Sequence, residues 1–367
     1  MARVLLVTND FPPKIGGIQS YLRDFLATLD PRDVVVFAST QESPAEFDAA
    51  VDYKVIRWPR RVMLPTPATV RRMQEIIRAE GIDIVWFGAA APLALMGKAA
   101  KEAGATRVVA TTHGHEVGWS MLPVARQCLR RIGNHADVIT YISEYTLRRL
   151  RRAFGPNPRW EHLPSGVSVE GLFPATPEQR AAAKAEFGVS GPTIVCISRF
   201  VPRKGQDQLL RAMPLVREEF PDAQLLLIGR GRYRRVLEEL ADIYCPDAVI
   251  QEAESIETAL HAADIFAMPA RTRGGGLDVE GLGIVYLEAQ ACGLPVIAGN
   301  SGGAPETVTE DTGVVVNGAS VQELAEAVKS LLANPQRRLS MGQAGRRHVE
   351  AQWTWRIMGQ RLRRLMS

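Results

Sequence analysis

Two carboxylates, Glu280 and Glu288, flank a short glycine-rich turn that leads into an apolar segment, Ile284–Ala291. An apolar run of this length is typical of a buried helix, whose first backbone N–H groups are unpaired and suit a phosphate. One carboxylate before the helix and one inside it can accept hydrogen bonds from hydroxyls on either side of that phosphate. The pattern therefore indicates a site for a sugar nucleotide.

The same two carboxylates are chemically compatible with a hydrolytic pair, but their spacing argues against one. Eight residues along one helix rise about 12 Å, whereas the carboxyls of a retaining glycosidase lie about 5–5.5 Å apart. We therefore expect Glu280 and Glu288 to bind a ligand. A purely structural role for Glu288, as a capped or paired helix residue, is the alternative.

Three cations, Arg199, Arg203 and Lys204, follow an apolar run that predicts a strand, and Gly205 comes next. Ligands of open α/β sheets bind at the carboxyl ends of the strands. Arginine offers a bidentate fork to phosphate, and lysine offers a point charge. The loop is a candidate diphosphate clamp, with a solvated loop as the alternative.

Two earlier loops also follow predicted strands. Gly16 and Gly17 precede a helix, where glycines let the backbone approach a ligand closely. His113 is placed to bond a sugar hydroxyl or to steady charge in a transition state, and His115 has the weaker case. An ordinary connection and a structurally satisfied histidine are the alternatives. The histidine spacing matches no zinc motif, so we expect no metal site.

Arginines and apolar side chains are mixed in several segments. Arg60 and Arg61 are followed by three apolar residues, Trp119 precedes a group of arginines, and Arg271 and Arg273 lie beside three consecutive glycines. Interfacial segments use this mixture, since apolar groups insert while cations meet anionic lipid. These five residues are candidates for contact with a membrane or an anionic acceptor. A solvated basic surface is the alternative.

The elements that position these loops alternate along the chain. Short apolar runs separated by helical patterns predict doubly wound parallel sheets. The pattern restarts after a loop-rich stretch, 154–191, so we expect two Rossmann-like domains facing one cleft, residues 1–170 and 171–352. A basic amphipathic helix in 353–367 is expected to cross back to the first domain. The predicted strands are Val4–Val7, Val34–Phe37, Val55–Trp58, Ile84–Phe87, Val108–Ala110, Val138–Ile142, Thr193–Ser198, Gln224–Ile228, Ile265–Met268, Val296–Ala298 and Gly313–Val316.

Composition restricts the class of protein. The 367 residues carry a net charge of only +4, which argues against a general nucleic-acid binder. The four cysteines form no closely spaced pair, so free thiols in a reducing compartment are expected. No segment is long and apolar enough to span a bilayer. We expect a cytoplasmic protein, soluble or peripheral to a membrane.

Taken together, these motifs resemble the retaining glycosyltransferases of the GT-B fold, the family that includes bacterial lipid mannosyltransferases. Within it, the segments 15–25, 112–123 and 269–288 resemble the actinobacterial mannosyltransferases that act on phosphatidylinositol monomannoside. The resemblance implies transfer of mannose from GDP-mannose to the inositol 6-position of that anionic glycolipid, at the cytoplasmic membrane surface. It implies retention of configuration without a metal or other cofactor.

The resemblance also implies residue roles. Glu280 would hold sugar hydroxyls, His113 would lie beside the transferred mannose, and Glu288 would hold the ribose. The diphosphate would be bound by Arg199 and Lys204, and backbone groups would assist them. Donor contacts are implied for Gly16, Gly17, Arg199, Lys204, Gly283, Ile284, Val285 and Glu288.

Other classes of protein share parts of this pattern. One is a related sugar-nucleotide enzyme, either a glycosyltransferase with a soluble acceptor or an epimerase, and another is a non-catalytic lipid- or nucleotide-binding protein. The segment after Cys245 is shorter than is usual in the family and lacks a glycine in the turn that often frames the nucleotide base. The choice of guanine over another base therefore depends on this segment.

Overall fold

A computed structural model describes residues 2–14 and 16–367. It divides into two compact units, one formed by the chain up to Gly166 together with Trp355–Ser367, the other by Val167–Thr354. Each unit contains one all-parallel sheet. The predicted α/β fold with two Rossmann-like domains is confirmed.

The first unit is built on a seven-stranded sheet in the order β3-β2-β1-β4-β5-β6-β7. Its strands are β1 (Val4–Thr8), β2 (Val34–Ser39), β3 (Lys54–Trp58), β4 (Ile84–Phe87), β5 (Arg107–Thr111), β6 (Val138–Tyr141) and β7 (Arg159–His162). Its first seven helices are α1 (Gly17–Leu26), α2 (Pro44–Ala49), α3 (Pro67–Glu80), α4 (Gly97–Glu102), α5 (Glu116–Met121), α6 (Pro123–His135) and α7 (Glu144–Phe154). Strands β1, β2 and β4 are buried throughout, which explains their unbroken apolar sequences.

The second unit contains a six-stranded sheet in the order β10-β9-β8-β11-β12-β13. Its helices are α8 (Pro177–Glu186), α9 (Gln206–Arg217), α10 (Arg234–Tyr244), α11 (Ile256–His261), α12 (Ile284–Ala291), α13 (Val321–Leu332) and α14 (Pro335–Gln352). Its strands are β8 (Thr193–Ile197), β9 (Gln224–Ile228), β10 (Val249–Gln251), β11 (Ile265–Met268), β12 (Val296–Gly299) and β13 (Gly313–Val316). In each sheet the strand order reverses in the middle, between β1 and β4 in the first sheet and between β8 and β11 in the second. The loops that follow these central strands lie together at the carboxyl edge of their sheet.

The last helix, α15 (Trp355–Leu365), belongs to the first unit, as predicted for a crossing helix. It lies against α1: the rings of Phe25 and Trp355 meet edge to face at 5.1 Å. Arg363 Nη1 donates a hydrogen bond to the carbonyl of Thr28 at 2.6 Å. Helix α1 thus covers part of the apolar face of the amphipathic sequence.

The expectation of a loop-rich stretch over 154–191 is wrong in two places, because it contains β7 and α8. Strand β7 lies at the edge of its sheet, and two of its residues, Arg159 and Glu161, form an ion pair. Charged residues are common on edge strands and hide the apolar alternation that marks a strand. Helix α8 is rich in alanine and polar residues, and its N-terminus is fixed by a capping box at Thr176.

Within the described residues, no helix combines the length and the apolar character needed to cross a bilayer.

Candidate active site

Three loops of the second unit meet at the carboxyl edge of its sheet. Strands β8, β11 and β12 are neighbours there, so the loops that follow them lie side by side. The loop after β8 carries Lys204, the loop after β11 carries Glu280, and the loop after β12 carries Ser301. The strand order therefore assembles one site from residues far apart in the chain.

The centre of this site is an ion pair. Lys204 Nζ lies 2.7 Å from Glu280 Oε2, and the two side chains are only 11% and 9% exposed. Arg203 Nε lies 3.8 Å from the same oxygen, and Arg203 Nη1 donates to Asp278 Oδ1 at 3.2 Å. Solvent and salt screen such a pair little. A cation that can bind phosphate, Lys204, therefore lies in contact with a carboxylate that can bind hydroxyls, Glu280.

The backbone of Glu280 is fixed by the turn after β12. Ser301 Oγ accepts a hydrogen bond from the Glu280 N–H at 3.3 Å, and the Gly303 N–H donates to the Glu280 carbonyl at 2.9 Å. Gly302 has φ +58, and a Cβ on it would collide with that same carbonyl oxygen. Only glycine therefore fits the position that supports Glu280.

Helix α12 starts at Ile284, as predicted from the sequence, so Glu280 lies before the helix and Glu288 lies inside it. The backbone N–H groups of Gly283 to Val285 lie at the N-terminal end of the helix, where they have no hydrogen-bond partner within the helix. An anion is favoured at such an end. Glu288 is partly buried, and burial raises its pKa to about 7. This carboxyl therefore changes charge near neutral pH, which is common for groups that bind or react with ligands.

Arg199 presents an exposed side chain from a fixed backbone. The Gln206 side-chain amide donates to Ser198 Oγ at 2.7 Å and to the Arg199 carbonyl at 3.1 Å. In the part of the chain that the structure describes, no carboxylate pairs with the Arg199 guanidinium. Arg199 is thus free to meet a ligand, whereas Lys204 already has a partner.

The two arginines beside the glycine run differ in their surroundings. Arg271 Nη2 lies 2.8 Å from Asp207 Oδ2 in the first turn of α9, and its side chain is only 15% exposed. Arg273 is exposed, and its backbone N–H donates to the Asp278 carbonyl at 2.9 Å. Of the two candidates for contact with an acceptor, only Arg273 therefore offers an exposed guanidinium.

In the first unit, His113 lies at the carboxyl edge of the sheet, after β5. Its Nε2 lies 2.7 Å from the Gly88 carbonyl, which can only accept, so Nε2 carries the proton. The ring packs edge to face on Tyr21 at 5.0 Å and stacks on His115 at 6.3 Å. Burial lowers the pKa of His113 to about 4. At neutral pH the ring is neutral, and Nδ1 is left as a hydrogen-bond acceptor.

The loop around His113 is shaped by a residue that the sequence did not single out, Glu116. Its Oε2 accepts hydrogen bonds from the backbone N–H groups of His113 and Gly114, both at 3.1 Å. Its Oε1 lies 3.3 Å from His115 Nε2, and the side chain is fully buried, which raises its pKa. A glutamate at the first position of a helix, three residues after a histidine, was the available signal.

The glycine pair before α1 is asymmetric. A Cβ on Gly16 would run into the side chain of Gln19, whose Nε2 donates to Asp10 Oδ1 at 3.1 Å. A Cβ on Gly17 would meet no heavy atom within 4 Å. A side chain at position 16 would therefore displace the end of the Gln19 side chain, whereas the space beside Gly17 is open to a ligand.

The other candidates for membrane or acceptor contact have mixed surroundings. Arg60 is exposed, and Arg61 is exposed but pairs with Glu42 at 2.6 Å. Trp119 is partly buried and packs against the core of the first unit. Nearby, Leu122 is 61% exposed. Val62 and Leu64, which follow Arg61, are also exposed, so each of the two segments presents exposed apolar side chains.

All four cysteines are free thiols, as predicted. Among residues 2–14 and 16–367, no group of three or more histidine, cysteine or acidic side chains is arranged as metal ligands.

Two family models match the chain, one in each unit. Residues 178–348 match the model described as "Glycosyl transferases group 1", and residues 15–170 match "Glycosyltransferase Family 4".

Similar proteins of known name extend over the whole chain. A Corynebacterium glutamicum protein is 62% identical over 372 residues, covering 100% of this chain and 98% of that protein. It is named a GDP-mannose-dependent monoacylated alpha-(1-6)-phosphatidylinositol monomannoside mannosyltransferase. A Mycolicibacterium smegmatis protein, named as the corresponding mannosyltransferase without the acyl specification, is 51% identical and covers 99% of this chain and 98% of its own length.

Solved structures agree on the fold. Anabaena HepE in complex with UDP and glucose is 18% identical, with a TM-score of 0.81 and coverage of 100% of this chain and 99% of HepE. Sucrose-phosphate synthase from Thermosynechococcus elongatus is 23% identical, with a TM-score of 0.78 and coverage of 100% and 98%. At these identities the likeness concerns the fold alone.

Proposed function

Because this chain belongs to the group 1, family 4 glycosyltransferases, we propose that it is a retaining mannosyltransferase. The donor is GDP-mannose, and the acceptor is the inositol 6-position of a phosphatidylinositol monomannoside. The product is the dimannoside. The observation that carries this proposal is the 62% identity, over the full chain, to a relative with that name.

The second unit supplies the donor chemistry in this proposal. Arg199 and Lys204 bind the diphosphate, and the N–H groups at the start of α12 assist them. Glu280 accepts hydrogen bonds from mannose hydroxyls, and Glu288 accepts them from the ribose. The 2.7 Å contact between Lys204 and Glu280 supports this assignment, because it places a residue suited to bind phosphate beside a residue suited to bind a sugar.

The first unit supplies an acceptor of hydrogen bonds at His113. With Nε2–H donated to Gly88, the free Nδ1 accepts from a mannose hydroxyl. The low pKa keeps the ring neutral, so His113 does not act as an acid near pH 7. We also assign Gly17 to donor contact, since the space beside it is open.

Retention of configuration follows from attack on the face that the phosphate leaves. The bond from mannose C1 to the phosphate oxygen breaks, and the bond from C1 to the acceptor oxygen forms on the same side. The acceptor proton passes to the leaving phosphate. The protein positions the reactants and stabilises the negative charge that develops on the diphosphate.

We propose that this transfer needs no metal ion, because the Arg199 and Lys204 cations supply the charge that a metal would otherwise bring to the leaving diphosphate. Transfer rates should therefore be the same with and without a chelator. A rate that falls with chelation and returns with a divalent cation would overturn this part of the proposal.

The lipid acceptor also leads us to propose a peripheral association with the inner face of the cytoplasmic membrane. Arg60 and Arg61, with the exposed apolar side chains that follow them, are candidate contacts. Charge reversal at both arginines should weaken binding to anionic vesicles. Unchanged vesicle binding would remove this segment from the proposal.

The test of the proposed function is a transfer assay with radiolabelled GDP-mannose and phosphatidylinositol monomannoside, with UDP-glucose and ADP-glucose as control donors. We expect label in the lipid fraction with GDP-mannose only, and none with Glu280→Ala. Label in a soluble acceptor would indicate a different glycosyltransferase. A changed sugar nucleotide without any acceptor would indicate an epimerase.

A further inference from the structure

The helices α6 and α7 of the first unit carry a local charge that the proposed function does not use. Together they contain seven arginines and one glutamate, in a chain whose total net charge is only +4. Among the described residues, no ion pair or hydrogen bond engages the guanidiniums of Arg130, Arg151 and Arg152. Three neighbouring cations without an ion-pair partner repel one another, and a bound anion would relieve that repulsion.

These three arginines line a cavity of about 490 Å³. Arg130 comes from α6, and Arg151 and Arg152 come from the last turn of α7. The indole of Trp160 and two prolines of the α7–β7 loop form apolar walls. The cavity thus combines three guanidinium forks with a surface suited to an apolar or ring-shaped group.

The cavity is held in shape by its own loop. Gly155 has φ +92, and a Cβ on it would lie 2.5 Å from Arg130 Nη1, so the Arg130 guanidinium occupies the space over this glycine. Asn157 Nδ2 donates to Asn134 Oδ1 at 3.3 Å, which ties the loop to α6. The Arg130 side chain therefore lies against the loop that borders the cavity.

The cavity is distinct from the candidate active site. It lies where α6 and α7 end and β7 begins, at the amino edge of the parallel sheet. His113 lies at the carboxyl edge of the same sheet, after β5. A ligand in this cavity would therefore occupy a second site on the first unit.

Arginines near a helix C-terminus have a simpler explanation, since they offset the helix dipole and can bond the last carbonyls. That explanation covers Arg151 and Arg152, but not Arg130, which belongs to a different helix and reaches over Gly155. It also predicts hydrogen bonds from the guanidiniums to those carbonyls, and the described residues contain none.

We propose that this cavity is a binding site for the phosphate group of a phosphate ester. Three guanidinium forks offer more donors than the two oxygens of a carboxylate can accept, and they match the several oxygens of a phosphate. The apolar walls fit the organic part of the ester. A phospholipid headgroup and a soluble phosphate ester share this chemistry, and the experiment separates them.

The experiment compares two double variants of α7 with the same change in charge. Arg151→Gln with Arg152→Gln removes two cavity arginines, and Arg148→Gln with Arg149→Gln removes two arginines of the same helix that do not line the cavity. All four of these side chains are exposed. One probe is inorganic pyrophosphate, titrated by calorimetry with excess GDP present to occupy the donor site. The other is a sedimentation assay with phosphatidylcholine vesicles with and without phosphatidylglycerol.

We expect the cavity variant to lose about tenfold or more in affinity for at least one probe, and the control variant to stay within about threefold of wild type. Loss with pyrophosphate supports a soluble ester, and loss with vesicles alone supports a lipid headgroup. Equal losses in both variants would mean a diffuse basic surface, and no loss in either would mean no site, so both results overturn the proposal. If the cavity variant fails to fold, Arg130→Gln is compared with Arg148→Gln, so that each variant removes one arginine.

Discussion

Glu280→Gln tests the arrangement at the centre of the candidate active site. The substitution keeps the shape of the side chain but removes the counter-charge 2.7 Å from Lys204 Nζ. Breaking a buried ion pair by neutralising one partner costs about 3–5 kcal/mol. Because both side chains remain about a tenth exposed, we expect a loss in the free energy of unfolding at the lower end of this range, about 3 kcal/mol.

For a domain of this size, such a loss lowers the midpoint of thermal unfolding by roughly 6–12 °C. The measurement is thermal unfolding followed by circular dichroism, with and without GDP. GDP should raise the midpoint more in Glu280→Gln than in wild type, because the diphosphate then becomes the main counter-charge of Lys204. The matched control is Glu252→Gln, which breaks an exposed pair with Arg230 and should change stability by less than about 0.5 kcal/mol.

A double-mutant cycle completes this test. Lys204→Met combined with Glu280→Gln should destabilise the protein by clearly less than the sum of the two single variants, since each single variant leaves the other group uncompensated. If Glu280→Gln matches the control, or if the two effects simply add, the ion pair does not hold this site together. If GDP stabilises wild type and variant equally, Lys204 does not bind the diphosphate.

Four further predictions follow from individual residues. Affinity for GDP should be roughly tenfold weaker near pH 6 than near pH 8, because Glu288, with a pKa of about 7, loses its charge as the pH falls. The terminal phosphate of GDP also titrates, with a second pKa near about 6, so in calorimetry Glu288→Gln should leave only the part of the dependence that belongs to GDP. Arg199→Ala should weaken GDP binding by roughly tenfold or more and leave the unfolding midpoint unchanged, and a stability loss without a binding loss would contradict its role. His113→Phe removes both the proposed Nδ1 contact with mannose and the Nε2–H hydrogen bond to Gly88, so it should lower kcat/KM by roughly tenfold or more with an unchanged KM for the lipid, whereas full activity would remove it from the site. Gly17→Ala should fold normally, because its Cβ meets no atom within 4 Å, yet transfer slowly; unimpaired transfer would show that no ligand occupies that space.

The sequence allowed most of the fold to be predicted, and the failures have physical causes. Strands such as β1 and β11 are buried on both faces, so their apolar runs are unbroken. Strand β10 was missed because it is a three-residue edge strand that is only partly buried. Helix α14 has no clear apolar stripe in its sequence because its buried positions include Gly342 and Gly345, and a Cβ on Gly342 would collide with the backbone of Gly293.

The candidate site was predictable residue by residue, but not as an arrangement. The sequence indicated Glu280 and Lys204 separately, and their ion pair depends on the adjacency of β8 and β11. Likewise, the sequence indicated His113, whereas the proton on its Nε2 depends on the Gly88 carbonyl after β4. Glu116 was missed because its role, as acceptor for two backbone N–H groups, leaves no sequence pattern beyond a helix start.

The most direct test of the central claim is the structure of the product. The enzyme is incubated with GDP-mannose and phosphatidylinositol monomannoside, and nuclear magnetic resonance of the purified lipid defines the new linkage and its anomeric configuration. We predict one added mannose in α configuration on the inositol 6-position, with the configuration of the donor retained. A β linkage, another position on the inositol, or mannose added to the existing mannose would contradict the account.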